Sequence, residues 1–172
     1  MDWSNFYAAS AGASAALLGL LFVAIQIHLD IIAADSRGRW LAIARSTFYN
    51  FVTLFLLSLL MLFPTLDNRF RAILIYFVAI FGLFRLLTAW LPVWRGVFAG
   101  RREQVVEILW MLAAPLSAYI FLLIFARDLL GTGATQDTMQ NIGFCVIGLF
   151  GIVLRNSWRL LVEAAASSKG KT

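Results

Sequence analysis

The chain has 172 residues, 62% of them hydrophobic and 13% charged, against roughly 25% charged in a soluble domain; too little polar surface remains to face water on every side. Its 14 Lys plus Arg against 9 Asp plus Glu give a net charge of +5. The basic residues stand singly or in pairs between apolar runs rather than on one polar face with interleaved aromatics, which argues against a nucleic-acid binder. A single cysteine, Cys145, excludes an internal disulfide and a cysteine-built metal cage, and its apolar surroundings mark it as a small packing residue.

The first apolar run covers about 6–29 and closes on Gln26, His28 and Asp30. It is long enough to cross a hydrocarbon core of about 30 Å at about 1.5 Å per residue. With no positive n-region and no cleavage signal, it is expected to stay in the mature protein rather than act as a secretory leader. A second run spans about 47–63, closed by Pro64, with Trp40 to Ser46 available as a helical extension. A third, about 71–91, is expected to stop at Pro92; a fourth, about 105–126, contains Pro115, which predicts a kink. The fifth has an uninterrupted apolar core only from Ile142 to Leu154. Adding Thr138 to Asn141 and letting Arg155 snorkel gives a tilted or thin crossing over about 138–154. An amphipathic helix is expected to follow to about 166, with Leu154, Trp158, Leu161 and Val162 on one side and Arg155, Arg159 and Glu163 on the other. It would lie on the inner leaflet or dock on a partner, and a disordered tail would occupy 167–172.

Loop charge orients these spans, because cytoplasmic loops carry the excess of Lys and Arg. Arg37, Arg39 and Arg45, then Arg95, Arg101 and Arg102, then Arg155, Arg159, Lys169 and Lys171 fall on one side, while Arg69, Arg71 and Arg127 fall on the other. The expectation is an all-α, polytopic membrane bundle of five transmembrane helices, N-terminus outside and C-terminus cytoplasmic. Trp3, Trp40, Trp90, Trp94 and Trp158 fall near the proposed helix ends, where indoles favour the interface.

Small residues in the first helix recur as Ala8, Gly12, Ala16 and as Ala11, Ala15, Gly19. Two such stripes allow close backbone approach by neighbouring helices, within the subunit or between subunits. The surrounding stretch, Phe6-Tyr7-Ala8-Ala9-Ser10-Ala11-Gly12-Ala13-Ser14-Ala15-Ala16-Leu17-Leu18-Gly19-Leu20-Leu21-Phe22-Val23-Ala24, resembles the first helix of a loosely defined group of uncharacterised bacterial multi-pass proteins, some labelled as modulators of a membrane protease. The resemblance covers about a tenth of the chain and implies a bacterial inner-membrane setting without implying a reaction.

Polar residues gather toward the cytoplasmic ends of the spans. Arg85 lies seven residues before Pro92, about 10 Å of helix from its end, where a charge is costly unless paired, hydrated or snorkelling. Glu107 enters from the same side on the next helix, and the antiparallel hairpin brings the two to similar depth as a candidate charge-assisted pair. Gln26, His28, Asn50 and Asn156 end or begin spans at this level. Arg85, Glu107, Gln26, His28 and Asn50 form a candidate polar cavity; capping and snorkelling account for the same pattern.

Known catalytic and cofactor patterns find no support. His28 is the sole histidine, which precludes a two-histidine haem site within one chain. There is no HExxH motif or acidic cluster, and Ser14, Ser58 and Ser117 lack a nucleophile signature and are expected to bond their own backbone. The sequence points to a non-catalytic protein, without a cofactor, whose partners are the bilayer and further copies of itself or other membrane subunits. The alternative is a small oligomeric channel or transporter centred on Arg85.

Overall fold

The computed structural model describes residues 3–27, 29, 39–97, 102–131 and 135–169, with side chains described at 3–27, 29, 40–88, 112–131 and 135–162. The described residues form five α-helices: α1 (Trp3–Ile27), α2 (Arg39–Leu62), α3 (Asn68–Val97), α4 (Arg102–Gly131) and α5 (Gln136–Lys169). Each contains a stretch long and apolar enough to cross a membrane.

The helices outrun the apolar cores that announce them. Trp40 to Ser46 does extend α2, and α3 passes through Pro92 to Val97 instead of stopping there. A proline removes one backbone donor and crowds the preceding turn, yet the backbone of α3 stays helical through it. The fifth span, expected to be thin, is long: residues 136–162 are apolar enough to cross as one unit. There is no break after Leu154 either. The stretch expected to continue as an amphipathic helix is the last part of one 34-residue α5, and its inward face carries Val153, Asn156, Arg159 and Leu160 while Leu154, Trp158, Leu161 and Val162 point outward. Of the tail expected to be disordered over 167–172, residues 167–169 are the last of α5, and 170–172 lie outside the described residues.

Local chemistry sets the ends. Pro64 follows the last turn of α2, and the Arg71 guanidinium reaches back from α3 to donate to the Phe63 carbonyl at 2.6 Å, while the Arg71 N–H donates to the Asp67 carbonyl at 2.9 Å. The α2–α3 hairpin is thus tied by one buried side chain. At the start of α5 the Thr135 hydroxyl accepts from the Thr138 N–H at 3.2 Å, an N-cap.

Packing places α2 at the centre. It lies against α1, α3 and α5, while α4 lies against α3 and α5; α2, α3, α4 and α5 close a ring of four, and α1 fills the outer angle between α2 and α5. More than half of the membrane-length window of α2 is buried, 56%, against 28–39% for the other four. Phe51, Leu54 and Leu57 of α2 meet Ile75 and Ala79 of α3, Leu122 and Ala126 of α4, and Ile142, Val146 and Leu149 of α5 in one core. The seam between α1 and α5 is aromatic. Trp3 and Phe6 sit over Gly143, at 3.2 and 3.5 Å from where a Cβ would stand, and the Tyr7 hydroxyl donates to the Met139 carbonyl at 2.9 Å. This last bond joins residues near the starts of both helices. Therefore α1 and α5 begin at the same end, and α1, α3 and α5 all finish at the end where α2 and α4 begin, the basic end of the chain.

The outer surface is the reverse of a soluble protein's. Ile27, Phe77 and Trp158 are 72%, 68% and 68% exposed, and Leu20, Phe22, Phe63, Phe84 and Phe144 are exposed with them. Contiguous apolar surface on this scale is not stable in water.

Candidate functional site

The polar residues brought together by the fold come from α2, α3 and α4. Asn50 lies on the inward face of α2, 1% exposed. Its Oδ1 accepts the hydroxyl of Tyr119, which reaches across the ring from α4, at 2.7 Å; the same hydroxyl lies 3.2 Å from Thr53 Oγ1. The ring of Tyr119 fits there because α3 presents Gly82. A Cβ on Gly82 would stand 2.7 Å from Cζ and 2.9 Å from Oη, and closer still to Cε1. One phenol therefore links three helices.

One turn farther along α3 stands Arg85. It is half-buried, its guanidinium lying 5.2 Å from the centre of the Tyr49 ring and 5.0 Å from that of Phe81. Its Nη1 donates to the Tyr49 hydroxyl at a long 3.4 Å, and its Nε is buried without a hydrogen-bond partner among the described residues. Aromatic faces accommodate a planar cation and shield its stem. Between α2 and α3 a pocket of about 160 Å³ has Arg85 and Tyr49 at one end, Thr53 and Gly82 at its back, and Leu56, Phe77 and Phe81 at its outward rim.

Of the residues expected to form a polar cavity, Asn50 and Arg85 stand in neighbouring groups: Asn50 bonds Tyr119, which also lies by Thr53, while Arg85 bonds Tyr49 and shares with Thr53 the lining of one pocket. Gln26 is not: it is exposed on the outside of α1. His28 and the side chain of Glu107 lie outside the described residues. Tyr119, Thr53 and Gly82 were not signalled as a set by the sequence. The available clue was one small residue, Gly82, amid Phe81, Leu83 and Phe84, which marks close approach of a neighbour.

Other polar groups are spread along the inward seam of α2. Ser46, Thr47, Asn50, Thr53 and Ser58 are all buried. Thr47 bonds the Ile43 carbonyl at 2.7 Å, but Ser46 Oγ, Asn50 Nδ2 and Ser58 Oγ have no hydrogen-bond partner among the described residues. Ser14 and Ser117 bond backbone carbonyls of the preceding turn, at 2.7 and 2.8 Å, as their place in apolar helices predicts; Ser58 departs from that expectation. Among the described residues no three His, Cys, Asp or Glu side chains come together to hold a metal ion.

The small residues of α1 divide by face. Ala11 packs inward with Tyr7, Ser10, Ser14 and Leu21, whereas Ala8, Gly12, Ala15, Ala16 and Gly19 are exposed. A Cβ added at Gly12 or Gly19 meets nothing within 4 Å. Apart from Ala11, the residues of the two stripes stand off the buried face of α1, which carries Tyr7, Ser10, Ser14 and Leu21. A second outward feature is a groove of about 370 Å³ between α4 and α5, where Ala114, Ala118, Cys145 and Gly148 leave room between Phe121 and Phe144.

No family model, curated protein or solved structure matches this chain.

Proposed function

We propose that the chain is a non-catalytic integral membrane protein of the bacterial inner membrane, crossing five times with its N-terminus outside, that assembles with itself or as an accessory subunit of a larger membrane complex. The observation that carries this reading is the outward α1 stripe, Ala8, Gly12, Ala15, Ala16 and Gly19, with open space at both glycines. In lipid, close approach over small residues is a main source of helix association, since apolar burial alone supplies little. The basic end, with its surplus of arginines, supports the orientation, and the resemblance of the first helix supports the bacterial setting.

The test is the mass of the purified protein in mild detergent, for the parent and for Gly12→Leu and Gly19→Leu. The expected result is an assembly that these variants break while thermal stability stays unchanged, because the added side chains meet nothing within the subunit. An assembly that survives both substitutions overturns the assignment of this face.

The second reading is a small oligomeric channel or transporter. It is favoured by Ser46 Oγ, Asn50 Nδ2 and Ser58 Oγ along the centre of the bundle, unpartnered among the described residues, since polar groups within a span mark hydrated pathways. Liposomes carrying the pure protein separate the two: they stay tight for an assembly subunit, whereas anion flux altered by Arg85→Ala would establish a pore.

A further inference from the structure

The α2–α3 pocket combines features that one class of ligand satisfies together. Its charged end holds a guanidinium that, among the described residues, has a buried, unpartnered Nε and one long hydrogen bond from Nη1. An arginine carries five donors, and a half-buried one whose Nε is unfilled among the described residues is costly unless it is paired or hydrated. The rest of the pocket is apolar. From Arg85 it runs along α3 past Gly82 and Val78 to Phe77, eight residues or about 12 Å, leading away from the basic end toward the middle of the bundle. Its rim, formed by Leu56, Phe77 and Phe81, lies on the outward surface, so a ligand can enter sideways. Charge near the membrane face and hydrocarbon walls deeper in is the polarity of a lipid standing in its own leaflet. At about 160 Å³ the pocket holds a head group or several methylenes, and the remainder of the chain lies against the exposed phenylalanines.

We infer that the α2–α3 pocket binds an anionic membrane lipid, its phosphate or carboxylate on Arg85 and Tyr49 and its acyl chain along Val78 and Phe77. This rests on the reading of the chain as a membrane protein and is independent of its assembly, because both walls belong to one subunit. A negatively charged head completes the guanidinium's donor set with charge-assisted bonds, and the Tyr49 hydroxyl adds a further donor. Thr53 and Gly82, held from behind by Tyr119, make the back wall and keep the pocket open.

Native mass spectrometry of the protein in mild detergent, titrated separately with phosphatidylglycerol, oleate, phosphatidylethanolamine and inorganic phosphate, tests the assignment. Phosphatidylglycerol or oleate should be retained, and whichever of them binds identifies the head as phosphate or carboxylate. Retention should fall about tenfold or more in Arg85→Met and equally in Val78→Phe, which fills the pocket and leaves the arginine in place. Arg155→Gln, an exposed arginine on α5, should change nothing, and Gly12→Leu should bind as the parent does, which separates this site from the assembly face. Equal retention of the zwitterionic lipid, displacement by inorganic phosphate at matched concentration, or equal losses in Arg85→Met and Arg155→Gln would each overturn it.

Discussion

Replacing Gly82 by alanine sets two effects of opposite sign against each other. In a helix, alanine is favoured over glycine by about 1 kcal/mol, so without a neighbour the change should stabilise. At Gly82 the new methyl would stand 2.7 Å from Cζ and 2.9 Å from Oη of Tyr119. That ring cannot simply swing aside, because its hydroxyl is bonded to Asn50 Oδ1 at 2.7 Å inside the bundle. Overpacking of this kind costs about 1–3 kcal/mol. If the phenol is driven off, the stranded Asn50 oxygen adds about 1–3 kcal/mol more. Net of the helical gain, Gly82→Ala should cost about 2 kcal/mol or more in unfolding titrated with SDS against a mild detergent. Gly12→Ala, where nothing lies within 4 Å, provides the control and should be neutral or slightly stabilising in the monomer. Tyr119→Phe should cost about 1–3 kcal/mol alone, and combined with Gly82→Ala less than the two together, since both act on one phenol. Unchanged or raised stability in Gly82→Ala would refute the claim that this contact holds α2, α3 and α4 in register.

Arg71→Met should lower stability by about 1.5–3 kcal/mol, the cost of a lost charged hydrogen bond to the Phe63 carbonyl, measured in the same titration. Thr135→Ala should cost about 1 kcal/mol through loss of the α5 cap, and Thr135→Ser should restore it. In a Cys145→Ala background, a cysteine at Gln136 should be labelled by an impermeant reagent from outside, and one at Ser168 only after the membrane is opened; labelling of both from one side would exclude the five-span orientation.

Much of the fold is legible in the apolar runs alone, because a helix of membrane length needs about 20 consecutive apolar residues and little else produces them. What the runs understate is extent. Polar residues at the helix ends, such as Arg39 and Gln136, look like loop in a hydropathy reading although the backbone remains helical through them. Arg85 and Asn50 stand out by depth, since polar side chains are conspicuous among leucines and phenylalanines. Tyr119 does not, because a tyrosine between Ala118 and Ile120 reads as one more apolar aromatic until α4 is seen to turn it toward Asn50. Gln26 misleads for a related reason. Proximity along the axis is visible in one dimension, whereas the direction a side chain faces depends on which neighbour the helix finds, and α1 turns Tyr7, Ser10 and Ser14 inward instead.

The central position of α2 has a bearing on how the chain enters a bilayer. It has the lowest mean hydropathy of the five spans and the greatest burial, with Ser46, Thr47, Asn50, Thr53 and Ser58 on the face its neighbours cover. Emerging second from the ribosome, it would meet lipid with that face uncovered, whereas α1, already inserted, offers only part of the cover. Further cover comes first from α3, joined by a five-residue turn and fastened through Arg71 to the Phe63 carbonyl, and then from α4 and α5. On the reading of the chain as a membrane protein, α2 and α3 would enter as a pair, with the tie at their turn able to form before α4 and α5 have been made.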